Sequence, residues 1–508
     1  MYDRELTRRT LLVAGTGLAG AAAVGRVTGL VSPAASAAAT GSPTTADLKS
    51  LAASLSGSVL LPSASGYLSA LQLFDPVFDS ERPLAVVQPA TVADVATTVK
   101  FASGFASPFA PRSGGHSYVG SSGGDKGLQL DLRRLNAVTY NSSNHTVVVG
   151  AGAGLYSVHA TLEPFTQTIP TGTCATVGVS GLTLGGGIGF EDRAYGLTCD
   201  ALQAVQVVLA DGSTVRASAT QNADLFWACR GGGGGNFGVV TEYTFATSPA
   251  TPIGYATLRW NDADMERVIA GWQQRLPAAP GTSWPVLHLQ TGSKHVTPSI
   301  QVFTLGTTPT AEVNALIAAI GRTPAARTTT QYTHKEALQQ VAGCAGFTDS
   351  QCQLAPAGKL TRRAHVNGSD VLGRALTTSE ISTISGYLRT RAKTNGSTIL
   401  ILEPLGGAVG SKAVADTAFP WRTALASVQW KVTFSSTPSA SLRTSTYNWI
   451  TTGHTKFGSA SVGAYINYLE PARPLSAYYG SNYARLRRLR TTYDPHHLFH
   501  GKYVIPAA

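Results

Sequence analysis

Hydrophobic and polar positions follow two rhythms along this chain. Between residues 66 and 248 the apolar runs are short and separated by polar or glycine-rich turns: PLAVVQP, GLQLDL and TVVVGAGAG read as brief strands. Thr91-Val92-Ala93-Asp94 opens a helix, with a threonine cap and an acid three residues later. QAVQVVLADGSTVRAS holds two alternating runs joined at Asp211-Gly212 and predicts a hairpin, and FGVVTEYTFAT closes the region as a further alternating strand. Hairpins mixed with helices predict an α+β fold and not a doubly wound parallel sheet.

A composition shift at SPATP, residues 248 to 252, marks a boundary. Beyond it the strands are longer: VLHLQTG, SIQVFTLG, TILILEPLGG, SVQWKVTFSS and ASVGAYINYLE. They alternate with helical stretches such as TAEVNALIAAIG, which predicts one antiparallel sheet with helices on one face. The end of the chain, YYGSNYARLRRLRTTYDPHHLFHGKYVIP, reads as an amphipathic helix stopped by Pro495 and followed by an extended tail. Residues 38–65, rich in serine, alanine and glycine, read as a flexible lead-in.

Composition narrows the class. A chain of 508 residues with 43% hydrophobic content is long enough for two domains, each with its own core. The formal charge of +11 is not gathered into basic blocks interleaved with aromatics, which argues against nucleic-acid binding. Arg8 and Arg9 precede a weakly apolar run that ends in Ala35-Ser36-Ala37, so residues 1–37 read as a twin-arginine signal and the protein as secreted. Arg26 interrupts that run and argues against a stable membrane anchor. Gly15 to Gly20 fit a dinucleotide fingerprint, but no acid follows about twenty residues on and the signal would be removed, so the match is rejected. Five cysteines leave at least one thiol over; Cys344 and Cys352 are close enough to close a loop, with their pairing left open.

The chemistry concentrates in three glycine-rich loops. PRSGGHSYVG presents His116 directly after Gly114 and Gly115, GTCATVGVSGLTLGGGIG carries Cys174, and CRGGGGGNFGVV adds Gly231 to Gly235. Such loops let backbone approach a ligand closely, and adjacent amide and serine groups suit phosphate oxygens. Together they suggest a large cofactor with a pyrophosphate, held without a P-loop. His496, His497 and His500 read as a surface turn and not a metal site, since Pro495 breaks the helix.

These segments, with YGLTCDAL, YINYLEP and YDPHHLF, resemble in order the berberine-bridge-enzyme-like branch of the vanillyl-alcohol-oxidase flavoprotein family. The resemblance implies a PCMH-type FAD-binding domain built from residues 66–248 and 464–508, with a substrate domain, 249–463, inserted between them. It implies bicovalent FAD, joined through His116 to the flavin 8α-methyl carbon and through Cys174 to C6. Arg112, Ser113, Gly114, Gly115 and Ser117 would surround the cofactor from the first loop. Gly178, Val179, Gly181, Gly185, Gly186 and Gly187 would do so from the second, with Val240 and Asn467 completing the set.

On the substrate side the resemblance implies Tyr468 as a base near flavin N5, assisted by Glu403, which can take the proton onward. YINYLEP reads as a strand whose alternation sets Asn467 opposite Tyr468. Gln429 is a candidate sugar contact and Tyr118 a residue lying over the site. Val177, three after Cys174, is what the family's oxidases tend to carry. Two departures stand out: Ile401 replaces a residue that is often polar in carbohydrate oxidases, and GKYVIP lacks the usual Gln-Ser. The expected protein is a monomeric, secreted oxidase that takes hydride from an alcohol or hemiacetal carbon of a small-molecule substrate and reduces O2 to hydrogen peroxide. A dehydrogenase with a non-oxygen acceptor and a non-catalytic carbohydrate-binding protein are the alternatives.

Overall fold

The computed structural model describes residues 41–508 apart from 293, 395 and 396, so the twin-arginine segment lies outside the described residues. The first sheet comprises β1 (Ser58–Leu60), β2 (Ala85–Gln88), β3 (Phe109–Arg112) and β4 (Leu128–Asp131) in the order β1-β2-β4-β3. The helix Val92–Ala102 starts where its cap predicts, with Thr91 Oγ1 accepting from the Asp94 amide and Asp94 returning the bond. Residues 41–65 depart from the flexible lead-in expected for 38–65. A helix, Thr45–Ala53, buries Leu48 and Leu51, and β1 pairs with β2. Two leucines three apart share one helix face, which is enough to dock that helix on the core.

A second, antiparallel sheet follows: β5 (Val138–Asn141) and β6 (Thr146–Gly150), then, after a two-residue strand β7 (Gln167–Thr168), β8 (Leu202–Val208), β9 (Thr214–Ser218) and β10 (Val239–Ala246). Its order is β5-β6-β10-β8-β9, and β8 and β9 form the expected hairpin. β11 (Ser248–Pro249) closes back on β7.

The third sheet has eight strands: β12 (Ile253–Arg259), β13 (Ser283–Thr291), β14 (Val296–Leu305), β15 (Ala326–Tyr332), β16 (Ala364–Leu372), β17 (Ile399–Pro404), β18 (Ala426–Phe434) and β19 (Ser461–Gly463). They run antiparallel in the order β15-β12-β14-β13-β17-β18-β16-β19. Leu400, Leu402, Val428, Trp430 and Val366 on one face pack under the helices Met265–Arg275, Thr310–Ile320, Thr378–Lys393 and Ala440–His454, making a core of their own. The alternate residues form a polar face: His365, Asn367 and Ser369 on β16, Glu403 on β17, Ser427, Gln429 and Lys431 on β18. Register aligns them, with Ser369 opposite Gln429 and Asn367 opposite Lys431.

The last strand is much shorter than ASVGAYINYLE predicts. Only Ser461–Gly463 pairs with β16, and Ile466–Tyr468 winds into a 3₁₀ turn. Ala464, Tyr465 and Ile466 are consecutively buried in the first core, which an alternating strand cannot achieve. The chain therefore leaves the sheet edge, and the Tyr465 amide donates to Ser369 Oγ at 3.0 Å. Downstream, the helix Tyr483–Tyr493 ends ahead of Pro495 and packs Leu486 and Leu489 into the same core as β2 and β6.

Candidate active site

The His116 and Cys174 loops cross at two glycines. A Cβ on Gly178 would stand 2.1 Å from Ser113 Oγ and 2.2 Å from the Gly114 amide nitrogen, and one on Gly114 would stand 2.3 Å from the Gly178 nitrogen. Backbone meets backbone here, so both positions exclude any side chain. Ser113 Oγ and Ser180 Oγ both donate to the Ala151 carbonyl and tie the crossing to the end of β6.

The crossing delivers His116 and Cys174 to one cavity of about 700 Å³. The His116 ring stacks on Phe74, 4.0 Å between centroids, and its Nε2 lies 2.9 Å from Thr176 Oγ1. Burial, reinforced by the neighbouring His365, pushes its pKa down to about 3, so the imidazole is neutral. Cys174 is exposed to the cavity, whereas Cys199 and Cys229 are buried in the core and their thiols are pushed up by desolvation. Beside Gly181 and Gly235, both on the cavity wall, a Cβ would meet no atom within 4 Å. A flat group has room against the backbone at both places.

The opposite wall is made of side chains. Tyr468 Oη donates to Glu403 Oε1 at 2.9 Å. Glu403 is buried, and desolvation raises its pKa to about 7 against the pull of Tyr468, Ser427 and Lys431. The Tyr468 phenol is pushed far above its ordinary value, by burial first and then by Glu403. Tyr118 stacks on Tyr468 with centroids 5.8 Å apart, and Gln429 Nε2 donates to its hydroxyl at 2.8 Å. Behind them Tyr465 Oη accepts from the Gly187 amide and from Asn467 Nδ2, both at 2.8 Å.

The candidates divide accordingly. Ser113, Gly114, Gly115, Ser117, Gly178, Gly181, Val240, Asn467, Tyr118 and Tyr468 line the cavity with His116 and Cys174. Glu403 and Gln429 stand one hydrogen bond behind it. Arg112, Val179, Gly185, Gly186 and Gly187, expected around a cofactor, do not line it, and each has a structural reason. The Arg112 guanidinium is buried beneath the loop and donates to the Ala70 carbonyl. Val179 is a fully buried core residue. Gly185 makes room for Asn467, where a Cβ would fall 2.1 Å from Oδ1; Gly186, at φ 129°, passes Phe419 and Tyr465; Gly187 abuts Thr198.

Sequence reasoning missed Phe74, Thr176, His365 and Lys431 on the cavity wall. Thr176 lies in the Cys174 segment, where no pattern singled it out, and the other three lie outside the chemistry-bearing motifs. The last two belong to β16 and β18, and β16 was unrecognised because Asn367, Gly368, Ser369 and Asp370 at its centre are poor strand formers. Val341 to Gly343 also line the cavity, just ahead of the Cys344–Cys352 disulfide, a bond that is present.

Comparisons with known proteins agree with this arrangement. The FAD binding domain family matches residues 83–218, and the family described as berberine and berberine like matches residues 464–506. The uncharacterized FAD-linked oxidoreductase YgaK of Bacillus subtilis is 32% identical over 81% of this chain and 89% of its own. Among solved structures, Physcomitrella patens BBE-like 1 superposes with a TM-score of 0.82 at 28% identity, covering 91% of this chain and 99% of that one. A chitooligosaccharide oxidase superposes with a TM-score of 0.81 at 25% identity, covering 91% of this chain and all of that one, 100%. The chain is therefore an FAD-dependent oxidoreductase and belongs to the berberine-bridge-enzyme-like family of PCMH-type FAD-binding proteins.

Proposed function

We propose that the protein is an oxidase carrying bicovalent FAD, acting on an alcohol or hemiacetal carbon of a saccharide or glycosylated compound. The observation that carries the reading is the Tyr468 to Glu403 hydrogen bond, set across one cavity from His116 and Cys174. The residues fit the cofactor: a neutral imidazole and a cavity-exposed thiol are the nucleophiles such attachment needs, beside backbone with open space in front of it. Thr176 occupies Nε2 of His116 and leaves Nδ1 as the bonding nitrogen. The chemistry supplied when FAD is bound is hydride acceptance from carbon, with return of the electrons to O2 as hydrogen peroxide.

Proton handling belongs to the chain. Tyr468 is too strongly buried to ionise near neutrality and works as a relay: it takes the substrate hydroxyl proton while passing its own to Glu403. Glu403 is poised for that task because burial has brought its pKa to about 7. Gln429 fixes the Tyr118 hydroxyl, so the two stacked phenols form a flat wall for a sugar ring. Val177, on the cavity wall, is the residue that the family's oxidases tend to carry, which supports O2 as the acceptor. The oligosaccharide-oxidase relative supports the substrate class.

The test is a visible spectrum of the purified protein, repeated on the acid-denatured, washed pellet, followed by peroxide assay on a saccharide panel. Yellow colour that stays in the pellet and peroxide equal to substrate consumed are expected. A colourless pellet overturns the covalent attachment. Turnover without peroxide means a non-oxygen acceptor, and flavin reduced by no saccharide means a binding protein. Export by the twin-arginine route is part of the same proposal, tested by N-terminal sequencing of protein recovered from the medium.

A further inference from the structure

The sheet wall of the cavity carries positive charge that no acid on that wall pairs. Lys431 stands two residues after Gln429 on the polar face of β18, opposite Asn367 on β16 and Ile399 on β17. Side chains two apart on a strand are about 7 Å apart, so Lys431 flanks the place where Gln429 holds Tyr118. It is half-buried, lines the cavity and makes no hydrogen bond or ion pair with any described residue. Arg363, two residues before His365, is also on the cavity wall and also unpaired. His365 holds Asp75 Oδ2 3.0 Å from its Nδ1, which leaves Nε2 as the ring nitrogen free for the cavity. Asn367 Nδ2, on the same face, is buried without a partner.

Among the described residues no aspartate or glutamate lines this cavity. Glu403, behind Tyr468, feels the charge of Lys431 without forming an ion pair with it, and Asp75 is spent on His365. Lys502, at another part of the wall, differs: it is already neutralised by Glu81. A cleft of one sign with low-dielectric walls concentrates ligands of the opposite sign. The cofactor diphosphate does not answer to Lys431, since the glycine and serine loops suited to it form the other wall. A neutral sugar would leave the charge unanswered as well.

We infer that the substrate is an anion: a saccharide or glycosylated compound bearing a carboxylate, with its reacting hydroxyl at Tyr468 and its carboxylate held by Lys431, and Arg363 gathering such molecules at the mouth. This rests on the oxidase reading above.

The test uses flavin-loaded enzyme and two saccharide pairs that differ by uronic carboxylates: cellobiose with cellobiouronic acid, and galactobiose with digalacturonic acid. Anaerobic flavin reduction and steady-state kcat and KM are read for each. The acidic members are expected to be preferred by about tenfold or more in kcat/KM, with the preference falling as salt rises. Lys431→Met should cut that preference by about tenfold, mainly through KM, and Lys431→Arg should restore it. Wild-type preference for the neutral members, or a preference unmoved by Lys431→Met, overturns the inference and leaves the oxidase reading standing. Flavin reduced by none of the four overturns that reading and this inference with it.

Discussion

The two walls of the cavity are built on opposite principles. One is built largely of backbone: the crossing of Gly114 and Gly178 and the open faces of Gly181 and Gly235 present peptide groups, with His116 and Cys174 set among them. The other is side chain, projected from β16, β18 and the turn Ile466–Tyr468, with hydroxyl, amide and ammonium groups from positions far apart in sequence and the Glu403 carboxyl of β17 behind them. A backbone wall grips whatever has the right shape, and its crossing at Gly114 and Gly178 allows no substitution. A side-chain wall can change one residue at a time, so it is where substrate choice resides. On the function proposed here, one chain keeps a fixed cofactor half and an adjustable substrate half around the same space.

The sharpest break in this contrast is Gly178→Ala. Its Cβ would overlap Ser113 Oγ at 2.1 Å, so more than about 4 kcal/mol of stability is expected to be lost, and soluble flavin-loaded protein with it. Gly181→Ala, with no neighbour within 4 Å, should still fold. Protein yield and flavin absorbance distinguish the two, and equal behaviour would refute the backbone wall. On the side-chain wall Tyr468→Phe should fold, retain flavin and lose roughly 10²- to 10⁴-fold in kcat. The wild-type pH profile sharpens the point. Because Glu403 must be ionised to accept the proton, kcat/KM should rise as pH passes about 7, and Glu403→Gln should abolish that limb.

The smallest effect concerns what supports the side-chain wall. Asp370, Glu470 and Arg473 surround His454, whose Nδ1 lies 2.7 Å from Asp370 Oδ2 and whose Nε2 lies 2.9 Å from Glu470 Oε2. Burial opposes its charge, but the two carboxylates outweigh burial and raise its pKa to about 9. A histidine raised in the folded state stabilises fully below its ordinary value of about 6.5 and loses that contribution as pH climbs through the folded value. The stake is at most on the order of 3 kcal/mol. Thermal midpoints should fall by a few degrees between pH 7 and 9, and His454→Gln should flatten that slope. An unchanged slope would show that the cluster is not what holds the 466–468 turn to β16.

Legibility divided along the same line as the two walls. The side expected to hold the cofactor could be read because contiguous motifs carry it: the glycines, His116 and Cys174 lie within three short segments, and backbone contact depends on local sequence. Even there, consecutive glycines misled. Gly185 to Gly187 are glycines because Asn467, Phe419, Tyr465 and Thr198 press on them, which no local pattern reveals. On the other wall Tyr468 and Glu403 were identified by resemblance, but the turn presenting Tyr468 was misread as a strand. Alternation within YINYLE cannot show that Tyr465 and Ile466 are both drawn into the same core.

The sequence by itself determined the α+β class, the hairpin β8–β9, the cap of the helix Val92–Ala102 and the glycine loops that present His116 and Cys174. These are consequences of periodicity, capping and backbone freedom within a few residues. Only the tertiary structure decided that Glu403 stands behind Tyr468, that Gln429 holds Tyr118, and that Lys431 and His365 share their cavity. Those contacts depend on the order in which eight strands assemble, and the buried polar strand β16 that aligns them has no apolar rhythm to announce it.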